Sequence, residues 1–202
     1  MTILTQGWRV SFAPYAPNAL SLSPVMSRIR ITGGEWRSRM IQVVDGPGLR
    51  PTPDRVRETL FNWLGHDLTG LTCLDAFAGS GILGFEAASR GASQVVMIEQ
   101  DRRAFLQLQK NAALFNSPAI KMVCGDALKC APAVAAQCDL IFLDPPYRQG
   151  WLEKFETLLP RLTKPETRIY AEAEHALESL GDWQVVKRGE AGQVHYHLLE
   201  HS

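Results

Sequence analysis

What this sequence lacks narrows the field first. It has no charge of one sign: 21 Lys and Arg balance 21 Asp and Glu. No chain-wide field therefore marks an anionic polymer as partner, and any nucleic-acid surface has to be local. Cysteine is scarce, and Cys73, Cys124, Cys130 and Cys138 contain no C-x-x-C pair. That spacing argues against a zinc site or a disulfide framework and predicts small buried apolar residues, Cys124 included, in a reducing compartment. No apolar run approaches the roughly 18 residues needed to cross a bilayer. These absences predict a soluble, cytoplasmic protein with no metal and no membrane partner, and neither a repeat nor a low-complexity tract interrupts the chain.

The first 26 residues contain no acid, one arginine and three prolines, Pro14, Pro17 and Pro24. A secretory signal needs an early positive charge and an unbroken apolar segment, and this stretch has neither. The pattern predicts a disordered extension over residues 1–27, with Met26 as an alternative start. The remainder, 46% hydrophobic over the whole chain, is enough for one core.

Two short β-type runs, RIRITGG and RMIQVV, predict a hairpin arm over residues 28–50. The following TPDRVRETLFNWLG predicts a helix with Thr52 as N-cap, Pro53 at its first position, Val56, Leu60, Trp63 and Leu64 on one face, and Gly65 as its stop. From Leu71 the chain alternates strand and helix. The strands are LTCLDAF, VVMIEQ, IKMVCGD, DLIFLDPP and RIYAEAE; the helices run over about 80–90, 102–115, a short segment after 126, and about 151–162. Near-continuous apolar strands in a βαβα order predict a mostly parallel sheet covered on both faces. WQVVKRG and QVHYHLLE, flanking Gly189 to Gly192, predict an antiparallel C-terminal hairpin, so residues 51–202 form one α/β domain.

LDAFAGSGILG satisfies G-x-G-x-x-G with Gly79, Gly81 and Gly84, a loop that brings backbone close to a ligand. The glycines alone do not say which ligand. Glu99, twenty residues after Gly79 at the second strand's end, suits the ribose hydroxyls of any adenosine cofactor. Asp75 discriminates, because a carboxylate at the tip of the first strand repels a pyrophosphate and attracts an ammonium group. S-adenosyl-L-methionine carries ribose hydroxyls, a cationic amino group and no phosphate. Asp126 ends the third strand, where it can accept from the adenine amine. Loop and helix capping by these acids is the competing reading, but three acids at successive strand ends favour a ligand.

The fourth strand ends LIFLDPPY. Two prolines remove two N–H donors and stiffen the turn, so the Asp144 carboxyl and the Pro145 carbonyl project as neighbouring acceptors, a match for one exocyclic NH₂. Tyr147 supplies a stacking face for a base that has left its helix. These residues, with Asp75 to Gly84, Glu99 and Asp126, resemble the amino-group methyltransferases. RITGGEWRSRMI and RPTPDRVRETLFNWL are similar to the bacterial small-subunit (16S) ribosomal RNA guanine-N2 methyltransferase family, over about residues 28–200. The resemblance implies a Rossmann-like, seven-stranded class I methyltransferase sheet in an enzyme that acts on one guanine N2 amine in a small-subunit assembly intermediate; a monomer is expected. It places the cofactor at Asp75, Phe77, Gly79, Ser80, Gly81, Glu99, Asp126 and Ala127, and the chemistry at Asp144, Pro145 and Tyr147.

Between Arg28 and Arg57, seven arginines face three acids, a local excess of four positive charges. Arginine suits phosphate forks and base stacking, so Arg37, Arg39 and Arg50 are expected to contact RNA, with Trp36 as an aromatic platform. An ion pair of Asp54 with Arg57 is the competing use of part of this charge. His195 and His197 share a strand face, but a His-x-His pair without a third ligand reads as packed or solvated. The rival functions are a DNA adenine-N6 methyltransferase, a nicotinamide-dependent oxidoreductase and a non-catalytic RNA-binding module.

Overall fold

A computed structural model describes residues 26–44, 52–135 and 137–202. Arg50 and most of the expected extension lie outside the described residues. The hairpin consists of β1 (Met26–Arg30) and β2 (Met40–Val44), paired antiparallel with Arg30 opposite Met40. Met26 and Ser27 are thus strand residues. The intervening turn lies against the domain: Trp36, Ile31 and Ile41 are buried in the core.

The helix α1 (Asp54–Leu64) buries Val56, Leu60 and Leu64 as the 3.6-residue period requires, with Trp63 partly covered. Its N-cap is Pro53, not Thr52. The Thr52 hydroxyl is drawn away to Glu172, 120 positions along the chain, at 3.1 Å. Then follow β3 (Thr72–Asp75), α2 (Ile82–Ser89), β4 (Gln94–Glu99), α3 (Arg102–Phe115), β5 (Ile120–Cys124), α4 (Ala127–Val134) and β6 (Cys138–Leu143). The single helix expected near 151–162 is two, α5 (Trp151–Glu156) and α6 (Leu159–Leu162). Pro160 opens the second, having no N–H to continue the first. The chain ends with β7 (Thr163–Ala173), the two-residue β8 (Ser179–Leu180), β9 (Trp183–Ala191) and β10 (Val194–His201).

The main sheet runs β5-β4-β3-β6-β7-β10-β9-β8. β5, β4, β3, β6 and β7 are parallel, while β10 lies antiparallel between β7 and β9. Side chains alternate across the strands, so Cys73, Met97, Phe142 and Tyr170 join α1, α2, α3 and the arm. Leu74, Ile98, Leu143 and Ala171 join α4, α5 and α6 on the other face. Chain order reverses at β3, whose neighbours are β4 and β6. A doubly wound sheet opens a crevice at that point, beyond the strands' carboxyl ends.

Candidate active site

Each predicted acid lies at or just beyond the carboxyl end of a parallel strand. Asp75 closes β3 and is buried; its carboxyl accepts from the Gly84 N–H at 3.0 Å, inside the first turn of α2. Glu99 closes β4 and accepts from the N–H groups of Gly79 at 2.7 Å and Asp101 at 2.6 Å. Asp126 is the N-cap of α4 and accepts from Leu128 N–H at 2.9 Å. All three therefore also perform the capping or loop-bracing work weighed against a ligand role, because orphan N–H donors at helix starts and turns need acceptors.

The three glycines divide the work. A Cβ on Gly81 would meet Leu108 Cδ1 at 2.2 Å, and one on Gly84 would meet Met97 Cε at 2.6 Å, so these two permit close packing of α2. At Gly79, with φ +51°, a Cβ would find no atom within 4 Å. Gly79 therefore borders open space in the left-handed conformation that glycine tolerates best. Ser80 Oγ accepts from Ile82 N–H at 3.3 Å, Phe77 packs edge-on to Trp151 with ring centroids 5.7 Å apart, and Ala127 is buried on α4.

The turn after β6 has Pro145 buried and Tyr147 39% exposed. Burial pushes Asp75 up to about 7, partly offset by the Gly84 hydrogen bond, with the Glu99 charge adding to the rise. Glu99 rises through burial, offset by its N–H donors. Asp144 rises well above the ordinary carboxylate range: burial is the main cause, the charges of Glu172 and Asp75 add to it, and the Thr52 hydroxyl opposes it. Among the described residues, none of Asp75, Glu99, Asp144 and Glu172 forms an ion pair with a basic side chain. Neighbouring negative charges thus act on one another here, Glu172 and Asp75 on Asp144 and Glu99 on Asp75.

The arm departs from expectation at Trp36. It is 6% exposed and stacks on Phe115 with centroids 4.3 Å apart. Its large apolar ring contributes more in the core than on a wet surface, so it offers no platform to RNA. Arg37 is exposed. Arg39 is also exposed, but its guanidinium lies 4.5 Å over Phe115 and donates to the Leu114 carbonyl at 2.7 Å. Arg57 is wholly buried, donating to the carbonyls of Thr52 at 2.7 Å and Arg30 at 2.6 Å and pairing with Asp54 at 2.8 Å. Cys124 is exposed, contrary to the core position expected, because it ends its strand at the open carboxyl edge. His197 is packed: its Nε2 accepts from Leu177 N–H at 3.0 Å.

Sequence reasoning missed two buried acids. Glu86 on α2 accepts from Thr32 N–H at 2.6 Å and its hydroxyl at 2.8 Å, and pairs with Arg57 at 3.4 Å and Arg90 at 3.2 Å. Nothing local marks it within a buried helix. Glu172 is next to last in β7, and its signal was legible as one more acid near a strand end in RIYAEAE.

Comparison with known proteins gives the family and agrees with the fold. The family model described as "Conserved hypothetical protein 95" matches residues 29–200. Ribosomal RNA small subunit methyltransferase D of Escherichia coli is 43% identical over 178 residues, 86% of this chain and 90% of the relative. The protein of the same name from Haemophilus influenzae is 40% identical over 181 residues, 85% of this chain and 93% of the relative. A solved structure of the Escherichia coli protein yhhF superposes with a TM-score of 0.78 at 42% identity, covering 87% of this chain and 99% of that one. By this match over most of its length and by these relatives, the chain belongs to the Conserved hypothetical protein 95 family, together with ribosomal RNA small subunit methyltransferase D.

Proposed function

We propose that this protein transfers a methyl group from S-adenosyl-L-methionine to the N2 amine of one guanine in small-subunit ribosomal RNA. The observation that carries the reading is that Asp144, Asp75 and Glu99 follow one another at the carboxyl ends of β6, β3 and β4, where the sheet reverses its order. Relatives that share most of the chain's length are named for ribosomal RNA of the small subunit, which supports the substrate class.

Asp75 is assigned to the cofactor's amino group, Glu99 to the ribose hydroxyls and Asp126 to the adenine amine, with Phe77, Ser80 and Ala127 lining the pocket. Gly79 leaves room for close approach. When bound, S-adenosyl-L-methionine supplies an electrophilic methyl on a sulfonium. The protein's own task is to prepare the amine, a poor nucleophile because its lone pair is delocalised into the ring. The Asp144 carboxyl and the Pro145 carbonyl accept its two hydrogens and draw the nitrogen toward tetrahedral geometry, concentrating the lone pair. Tyr147 stacks on the extruded base, and Arg37, Arg39 and Arg50 hold phosphates of an RNA in partly assembled subunits.

The test is incubation with labelled cofactor and three substrates: pre-assembled small subunits, naked ribosomal RNA and DNA. Label on N2-methylguanine in the RNA is expected, and label only in DNA overturns the reading. Asp144→Ala is expected to abolish turnover while S-adenosylhomocysteine still binds by calorimetry. NAD binding in place of S-adenosylhomocysteine would indicate an oxidoreductase.

A further inference from the structure

Asp144 does not stand alone. The register of β6 against β7 pairs Phe142 with Tyr170 and Leu143 with Ala171, and continuing that register brings Asp144 alongside Glu172. Because strand side chains alternate, Asp144 and Glu172 lie on the face that carries Phe142, Tyr170 and α1. Glu172 is only 4% exposed, and Thr52 and Tyr170 are buried with it. Its Oε1 accepts from the Tyr170 hydroxyl at 2.8 Å and from the Thr52 hydroxyl at 3.1 Å. Thr52 is itself fixed from behind, since the wholly buried Arg57 donates to its carbonyl at 2.7 Å. The donor that α1 forgoes as a cap is spent on this acid.

Two carboxyls that neighbour each other across adjacent strands, Glu172 buried and Asp144 half-buried, do not both ionise readily, and the one with more donors keeps the charge. The one proton of the Thr52 hydroxyl goes to Glu172, which with the Tyr170 hydroxyl gives that acid two donors, while the charges of Glu172 and Asp75 oppose the ionisation of Asp144. The other titratable or charged groups around the pair are Tyr170 on β7, Tyr196 on β10 and Arg57 behind Thr52.

We propose that Glu172, clamped by Thr52 and Tyr170, is a positioning residue that carries the negative charge of the pair and holds the Asp144 carboxyl in place for the amine. This rests on the methyl-transfer reading above. The pair enters the reaction with one proton and one charge. As the N–C bond forms and the S–C bond breaks, the sulfonium becomes a neutral thioether and the amine turns cationic. The proton that leaves the nitrogen passes to the pair, which thereby becomes neutral, and from there to water.

The experiment follows the Asp144 carboxyl by ¹³C NMR in protein labelled at the aspartate γ-carbon, its resonance assigned by loss in Asp144→Asn. In the unaltered protein it is expected to titrate well above the ordinary aspartate range. In Glu172→Gln the midpoint should fall by about one pH unit or more. The methyl-transfer rate on small subunits should drop about 10- to 100-fold, with the acidic limb of the pH–rate profile moved to higher pH, because in the unaltered protein that limb reports the first ionisation of the pair, at Glu172. S-adenosylhomocysteine affinity should stay within about twofold, since a positioning residue acts on the reacting amine. Thr52→Val, which takes a donor from the pair, should also displace the midpoint and Thr52→Ser should not, which keeps the test decisive if Glu172→Gln fails to fold. An unmoved Asp144 midpoint in Glu172→Gln, or in Thr52→Val where the former is unfolded, overturns the proposal. If the unaltered protein labels no ribosomal RNA while the Asp144 midpoint still moves, the guanine reading falls and the role of Glu172 stands.

Discussion

A single carboxyl illustrates how this fold makes its site responsive to charge. Asp75 is pushed up to about 7 because its strand tip is buried, so near neutrality the free protein holds it only partly ionised. A ligand ammonium favours the carboxylate, and protonation competes with binding. S-adenosylhomocysteine affinity, measured by calorimetry, should therefore weaken as pH falls below about 7, approaching tenfold per pH unit. A flat profile would remove Asp75 from that role. Trp36 and Arg37 separate packing from recognition in the same turn. Trp36→Ala should lower stability by about 3–5 kcal/mol in urea titration, the cost of emptying a buried aromatic site. Arg37→Ala should leave stability within about 0.5 kcal/mol and weaken RNA binding in a salt-dependent manner.

At the scale of elements, the arm is bolted to the domain through charges on α2. Glu86 accepts from the arm at Thr32 and pairs with Arg57 of α1 and Arg90 at the end of α2. Arg90 also lies 4.2 Å over the Phe61 ring. Removing one partner of such a network leaves buried charge uncompensated, so Glu86→Gln should cost about 3–5 kcal/mol, read from the denaturant midpoint. Gly34 permits the same docking sterically. With φ +77°, its Cβ would fall 1.9 Å from the Ser89 carbonyl oxygen. Gly34→Ala should detach the arm, seen as protease cleavage within 28–44 while the main sheet stays intact. The arm's existence was legible from its two β-type runs around a glycine pair. Its attachment was not, since Glu86 and Thr32 lie 54 positions apart.

For the molecule as a whole, the acidic crevice makes stability depend on pH in a direction set by sign. Asp75, Glu99, Asp144 and Glu172 all lie above their unfolded values when folded. The folded state therefore binds more protons than the unfolded chain between about pH 4 and the raised values, and stability falls as pH rises through that window. His197, lowered by burial, works the other way as pH rises toward about 6.5, one group against four. The thermal midpoint of the free protein should decline between about pH 5 and pH 8. Saturating S-adenosylhomocysteine should lessen the decline, because its ammonium favours ionised Asp75. A midpoint that rises over this range would contradict the burial of these acids.

The sequence by itself determined the parallel sheet, the ends of its strands and the residue types placed there, because period-two apolar runs and glycine and proline breaks are local signals. From those alone the positions of Asp75, Glu99, Asp126 and Asp144 at or just past the ends of parallel strands were legible. Only the tertiary structure decided which long-range partner each polar group took. Thr52 left its helix for Glu172, Trp36 left the surface for Phe115, and Arg57 joined strand, arm and helix from inside the core. The physical reason is common to all three: a buried donor or ring is satisfied by whatever neighbour the packed layers bring within reach, and nearness in space is not written in local spacing.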